Sequence, residues 1–188
     1  MSTLSKLDTP ILKLNLTEII EDIFMVLSEK EREVVVQRFS LDNKERRTLE
    51  SIGRTFNVTR ERVRQIEKIA LGKLKRTVNS SKLRFIHEVA EAILRENGGL
   101  LLEEELLRKI LNMIEKTIDI DQHIVRLSLT ICPNITYIEK NNLYRLSWHL
   151  TSIPSNLIQD FLEHTQTILC NKKEVLEEEA LVKELINS

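Results

Sequence analysis

The chain has 188 residues, 41% of them apolar and 30% charged, an ordinary make-up for a soluble globular protein with room for one large or two small domains. Its four Gly and three Pro are few, which favours helices, and no run nears the roughly 18 apolar residues that a membrane span needs. The formal net charge of −1 hides an asymmetry: residues 28–78 hold 14 Lys and Arg against 8 Asp and Glu, a net of +6, whereas residues 85–188 hold 10 against 17, a net of −7. A nucleic-acid footprint belongs to the first segment.

In chain order, residues 17–27 carry Ile19, Ile20, Ile23, Phe24 and Leu27 at amphipathic-helix spacing. Ser28-Glu29-Lys30-Glu31 reads as a capping box opening a second helix to about Phe39. Residues 41–47 are polar and read as a loop. Thr48 caps a short helix over 49–56, and Thr59 caps a longer one over 60–78. Asn79-Ser80-Ser81 reads as a break. Residues 83–96 form a helix that stops at Asn97-Gly98-Gly99, followed by helices over 103–115 and 121–131, the latter ended by Pro133. Residues 135–148 alternate β-branched and aromatic residues around Asn141-Asn142, a hairpin signal with a tight primed turn. Three helices and then a hairpin is the order of a winged helix.

The sharpest motif is TLESIGRTFNVTRERVRQIE, residues 48–67. A helix-turn-helix needs a small residue where its helices approach, here Gly53, and a turn residue that tolerates positive φ, here Asn57. Leu49, Ile52, Val58, Val63 and Ile66 are spaced to lock the two helices together. On the last helix Val63, Ile66, Ala70 and Leu74 share one side. Arg60, Glu61, Arg64, Gln65 and Lys68 share the other, within an arc of about 140°. Arg pairs bidentately with guanine, Glu accepts from cytosine N4 and Gln pairs with adenine, so Arg60, Glu61, Arg64 and Gln65 are candidate base readers.

Residues 26–76, with VTRERVRQIE at their heart, resemble region 4 of the sigma-70 family of RNA polymerase sigma factors. The resemblance implies that Arg60, Glu61 and Gln65 read bases of promoter −35 DNA. It also implies that Lys30, Arg38, Thr48 and Thr59 contact phosphates, with Lys68 as a further candidate. The chain departs from the family at Ser40, where primary sigma factors usually have Gly, and at Ile69, where they carry Lys. The partners implied are double-stranded promoter DNA, the RNA polymerase core through the flap of its beta subunit, seated in an apolar groove of helices 17–39, and an anti-sigma factor or other regulator. Only 25 residues precede the match, and the single Trp is Trp148, so a promoter-melting region 2 is not expected in this chain.

Residues 85–150 resemble the winged-helix domains of the HARE type, which also occur in the delta subunit of Gram-positive RNA polymerases. The recognition-helix position, 121–131, offers only Arg126 and His123, and the negative charge of the segment points to protein contact rather than DNA. LLEEELLRKIL at 101–111 recurs as VLEEEALVKELI at 175–186, each after a helix, so 153–188 reads as the opening of a second winged-helix unit. The fold class expected is mostly α: an N-terminal tail over 1–15, a helix-turn-helix four-helix domain over 16–79, a winged-helix domain over 80–150 and a helical segment over 151–188.

The residues offer no catalytic chemistry. His87, His123, His149 and His164 are isolated, Cys132 and Cys170 stand 38 residues apart without a second pair, and there is no Gly-rich phosphate loop. Glu103–Glu105 and Glu177–Glu179 read as acidic helix starts favoured by the dipole. Neither cofactor nor metal is expected, and no signal peptide or membrane segment is read. The chain reads as a cytoplasmic, nucleoid-associated bacterial transcription protein that is not an enzyme. The alternative is an adaptor on RNA polymerase whose main contacts are protein.

Overall fold

The computed structural model describes residues 14–78, 81–115, 117–141, 144–172 and 176–187. Among these lie nine helices and three short strands, so the fold is mostly α with a helix-turn-helix and a winged element. The helices are α1 (Leu16–Phe24), α2 (Glu29–Phe39), α3 (Leu49–Phe56), α4 (Arg60–Thr77) and α5 (Leu83–Glu96). After β1 (Leu100–Leu102) come α6 (Glu103–Leu111), α7 (Asp121–Ile131), β2 (Ile135–Ile138) and β3 (Ser147–Leu150), then α8 (Ser155–Lys172) and α9 (Glu178–Asn187).

The starts of α2, α3 and α4 rest on the side chains that the sequence marks for them. Ser28 and Glu31 close a reciprocal capping box at the head of α2. The Thr48 hydroxyl accepts from the Ser51 amide at 3.1 Å, and the Thr59 hydroxyl accepts from the Arg62 amide at 3.2 Å, satisfying donors with no partner inside the helix. Two of these helices end on a left-handed residue, Ser40 at φ 59° for α2 and Asn57 at φ 52° for α3. Glycine adopts that conformation at least cost, so Ser40 holds a position where its own side chain is a disadvantage.

The sheet is antiparallel in the order β1-β3-β2, with Trp148 opposite both Leu101 and Tyr137. With α5, α6 and α7 it forms a winged helix. Strand β1 was not expected, because three consecutive leucines are too short to show a period of two. Pairing with β3 is what makes them a strand. The helix expected over 103–115 ends at Leu111. The strands of the hairpin stop at Ile138 and resume at Ser147, so the connection is longer than the tight turn expected. Asn141 N–H donates to the Tyr144 carbonyl at 3.0 Å, and Tyr144 N–H to the Asn141 side chain at 2.8 Å. The turn residue Asn142 lies outside the described residues.

The described residues up to Leu150 pack as one compact unit, and those from Thr151 on form a second. The first unit has one main core, running from Leu16, Ile20 and Ile23 through Leu74, Leu83 and Ile86 to Ile124, Leu127 and Trp148. The boundary expected at 79–80 is therefore no boundary between cores. Val78 and Leu83 are buried on either side of it, and residues 79–80 lie outside the described residues. The physical reason is α7, which packs against α1, α2 and α4 as well as α5, α6 and β2. A smaller cluster of Val34, Ile52, Val63 and Ile66, with Leu49, Phe56 and Val58 against it, holds the helix-turn-helix.

In the second unit α8 and α9 pair as a helical hairpin. No residue of α8 is buried. Of the repeat segment expected at 175–186, residue 175 lies outside the described residues, and the helix there, α9, begins only at Glu178.

Candidate nucleic-acid interface

Helix α4 is aimed by its contact with α3. A Cβ placed on Gly53 would stand 2.7 Å from the Val58 carbonyl oxygen, so the turn leading into α4 passes α3 at a distance that only glycine allows. The Val58 amide donates to the Gly53 carbonyl at 2.9 Å, closing the turn whose left-handed residue is Asn57. Ile52, Val63 and Ile66 fill the angle between the helices. The inner face of α4 is thereby fixed, and the outer face is left to solvent.

Arg60, Glu61, Arg64, Gln65 and Lys68 are all exposed on that outer face. Glu61 and Arg64 form a fork, with Arg64 Nε donating to Oε2 at 2.9 Å and Nη2 to Oε1 at 2.7 Å. The Arg64 hydrogen bond holds the Glu61 carboxyl below its ordinary pKa, and Glu61 raises that of Arg64. An exposed pair of this kind stabilises little, so opening it to meet a base costs little. Arg62, which the sequence reading passed over, donates from Nη1 to Gln65 Oε1 at 3.2 Å and so orients a base-reading candidate. Its i, i+3 spacing to Gln65 was the signal available.

The phosphate candidates divide. Thr48 and Thr59 stand at the heads of α3 and α4 with their hydroxyl oxygens engaged as caps, each keeping an O–H to donate. Lys30 is exposed, its ammonium 5.7 Å from the centre of the Phe56 ring, and Lys68 is exposed on α4. Arg38 is different. Its side chain is only 15% exposed, with Nε donating to Glu67 Oε1 at 3.1 Å and Nη1 to the Arg47 carbonyl at 2.9 Å. It ties α2 to α4 and to the loop before α3.

The second recognition-helix position is closed. Asp121, Ile124, Val125, Leu127, Ser128, Leu129 and Ile131 of α7 are buried, and Arg126 pairs with Glu103, whose Oε2 also accepts from the Trp148 indole at 3.0 Å. His123 is half-buried, and burial lowers its pKa. The apolar side of α1, expected to line a groove for the polymerase flap, is covered as well: Leu16, Ile19, Ile20, Ile23 and Phe24 are all buried in the shared core. Met25 and Val26, just beyond α1, are the exposed apolar residues of that end.

Among the described residues no group of His, Cys, Asp and Glu is placed to hold a metal ion, and no helix is long and apolar enough to cross a membrane. Cys132 is buried, which pushes its thiol up to about 11. A thiol held that high is poorly nucleophilic at neutral pH.

Comparison with known proteins agrees with this geometry. Residues 23–76 match the family model of sigma-70, region 4. Over 69 residues the chain is 48% identical to the RNA polymerase sigma factor SigA of a Bacillus species, and to the same extent to those of Listeria monocytogenes and Listeria innocua. Each alignment covers 37% of this chain and 18% of the relative, so the chain spans less than a fifth of the curated relatives it matches.

Proposed function

From the match of residues 23–76 to sigma-70 region 4, we propose a sequence-specific DNA-binding protein of transcription initiation that reads −35-type promoter DNA through α4. The observation that carries this reading is the exposed row Arg60, Glu61, Arg64, Gln65 and Lys68 on a helix held rigidly by the Gly53–Val58 approach. The α4 N-terminus enters the major groove with Arg60, Glu61 and Gln65 against base edges. Thr48, Thr59, Lys30 and Lys68 hold the backbone. Work of this kind is done on the bacterial nucleoid, in the cytoplasm, and needs neither cofactor nor catalysis.

Association with the RNA polymerase core, at the beta flap or through a regulator, belongs to the same proposal and rests on the family resemblance. With the apolar side of α1 covered, such a contact falls to Met25 and Val26 or requires α7 to move. The adaptor alternative, whose main contacts are protein, gains nothing from that covering, because the contacts of the recognition-helix position are made within this chain.

The test is a titration of the native chain, Arg60→Ala and Glu61→Ala against TTGACA-bearing and scrambled duplexes at two salt concentrations. Arg60→Ala should cost about 1–3 kcal/mol on the cognate duplex and little on the scrambled one. Glu61→Ala should raise affinity for scrambled DNA while relaxing preference at one base pair, since a carboxylate near phosphates repels them. A ratio of cognate to scrambled affinity that neither change alters would leave only a basic surface.

A further inference from the structure

Gly72 lies in the last third of α4, an unbroken helix of 18 residues. Glycine suits such a place poorly, since it gives up more backbone freedom than alanine and brings no side chain to pack. Its neighbours in the chain do not call for it. A Cβ built on Gly72 meets no described atom within 4 Å, its chain neighbours and the backbone of its own helix aside. Gly53 is hemmed in by backbone, whereas Gly72 leaves open space on the surface of a rigid helix.

That opening lies on the base-reading face. At about 100° per residue Gly72 falls between Glu61 and Gln65 around the helix, away from the buried Val63, Ile66, Ala70 and Leu74. Lys68 stands four residues before it, and Lys75 and Arg76 stand three and four after it, so their Cβ positions border Gly72 at about 5–6 Å. All three are exposed, and none makes an ion pair or a side-chain hydrogen bond among the described residues. The charges beside them are already engaged: Lys73 pairs with Glu31 at 2.8 Å, and Glu67 accepts from Arg38. After Glu67 the sequence has no Asp or Glu before Glu88. Three unpaired cations thus frame a gap with no side chain in it, and no carboxylate of their own stretch of chain competes for them.

An anion that approaches Gly72 meets positive charge and no Cβ, and the place of the gap on α4 says which anion. Lys68 lies about 12 Å and Arg76 about 24 Å along the axis from Arg60. The major groove is about 12 Å wide, and a straight helix soon leaves its curved floor. With Arg60, Glu61 and Gln65 against base edges, the turn around Gly72 stands over the groove wall, where the phosphates are. Resting on the reading that α4 lies in a major groove, we propose that Gly72, framed by Lys68, Lys75 and Arg76, is a second DNA contact that seats backbone phosphates flanking the element read by the first turns of α4. The bare backbone at Gly72 lets the strand come close, and the cations hold it there.

The experiment uses the full chain with a TTGACA-bearing duplex trimmed close to the element and two others extended by a helical turn on one side or the other. The native chain should bind one extended duplex more tightly than the trimmed one. Changing Lys75→Ala and Arg76→Ala together should lose roughly tenfold of affinity on that duplex, lower its salt slope by about two units and leave the trimmed duplex nearly unchanged. Gly72→Leu is the sharper variant because it keeps every charge. It should raise the melting temperature, leucine being the better helix former, and yet cancel the advantage of the extended duplex. A native chain that binds extended and trimmed duplexes alike overturns the proposal, as does a lower melting temperature for Gly72→Leu or equal weakening on all three duplexes. An extended-to-trimmed ratio that either variant leaves unaltered also overturns it, and assigns the cations to an acidic protein partner instead. Failure of the underlying reading is distinct, as a native chain with no preference for the cognate over a scrambled trimmed duplex.

Discussion

Arg38 Nε lies 3.1 Å from Glu67 Oε1, and both side chains are about five-sixths withdrawn from water, at 15% and 16% exposure. The same guanidinium donates from Nη1 to the Arg47 carbonyl. One side chain therefore ties the end of α2 to the middle of α4 and to the loop before α3. Removing it leaves a carboxylate and a carbonyl with lost partners in a partly dry setting. Arg38→Ala should therefore destabilise the chain by about 1–3 kcal/mol in urea unfolding, where a phosphate contact alone would change nothing. Lys30→Ala, by contrast, should leave the unfolding midpoint near its native value and reduce the salt slope of DNA binding by roughly one unit.

Gly53 admits no side chain. The Val58 carbonyl oxygen 2.7 Å from its Cβ position belongs to backbone and is held by the turn. Gly53→Ala should cost about 1–3 kcal/mol and splay α3 from α4. Its effect on DNA should exceed its effect on stability, because a small rotation of α4 moves every base-reading side chain together. Measuring both quantities on the same variant checks the ordering. Asn57→Ala tests the left-handed turn beside it, with an expected loss of about 1 kcal/mol.

The shared core predicts that the helix-turn-helix and the winged helix unfold together. Ile124 of α7 is fully buried in the core that also holds Leu16 and Leu74. Ile124→Ala should destabilise by about 2–5 kcal/mol. It should lower the melting of both parts in one transition, followed by hydrogen exchange at α3–α4 and at α5–α6 separately. Two transitions, only one of them shifted, would show independent cores.

His87 is buried, and its Nε2 lies 2.8 Å from the Ser128 carbonyl of α7. Burial lowers its pKa below 6.5, with the Ser128 contact opposing in part. In this window the unfolded chain binds more protons than the folded one, so stability rises with pH. The contribution is complete above about pH 6.5, falls as pH drops below that value and levels off below the folded pKa. Unfolding free energies between pH 7.5 and 5 should show this loss, and His87→Gln should flatten the profile in that range.

Helix α8 is 18 residues long and none of its residues is buried. A helix without tertiary burial has little beyond local propensity to hold it. Amides of α8 and α9 should exchange with solvent orders of magnitude faster than those of α5 and α7. Protection of α8 equal to that of α5 would contradict this.

The helix-turn-helix was legible in the residues because its determinants are local. Thr48 and Thr59 cap from three residues away, Asn57 meets a demand of its own φ, and a 3.6-residue period separates Val63, Ile66, Ala70 and Leu74 from Arg60, Glu61, Arg64, Gln65 and Lys68. Each is a matter of a few residues along one chain, which sequence spacing records directly. What the tertiary structure decided depends on partners far away in sequence. Leu100–Leu102 became a strand only beside Trp148 and His149. Arg38, a cation on paper, turned inward because Glu67 and the Arg47 carbonyl wait for it. The apolar stripe of α1 and the recognition-helix position of the winged helix each read as surfaces for another molecule. They cover one another instead, because periodicity says which face of a helix is apolar and never which surface will bury it.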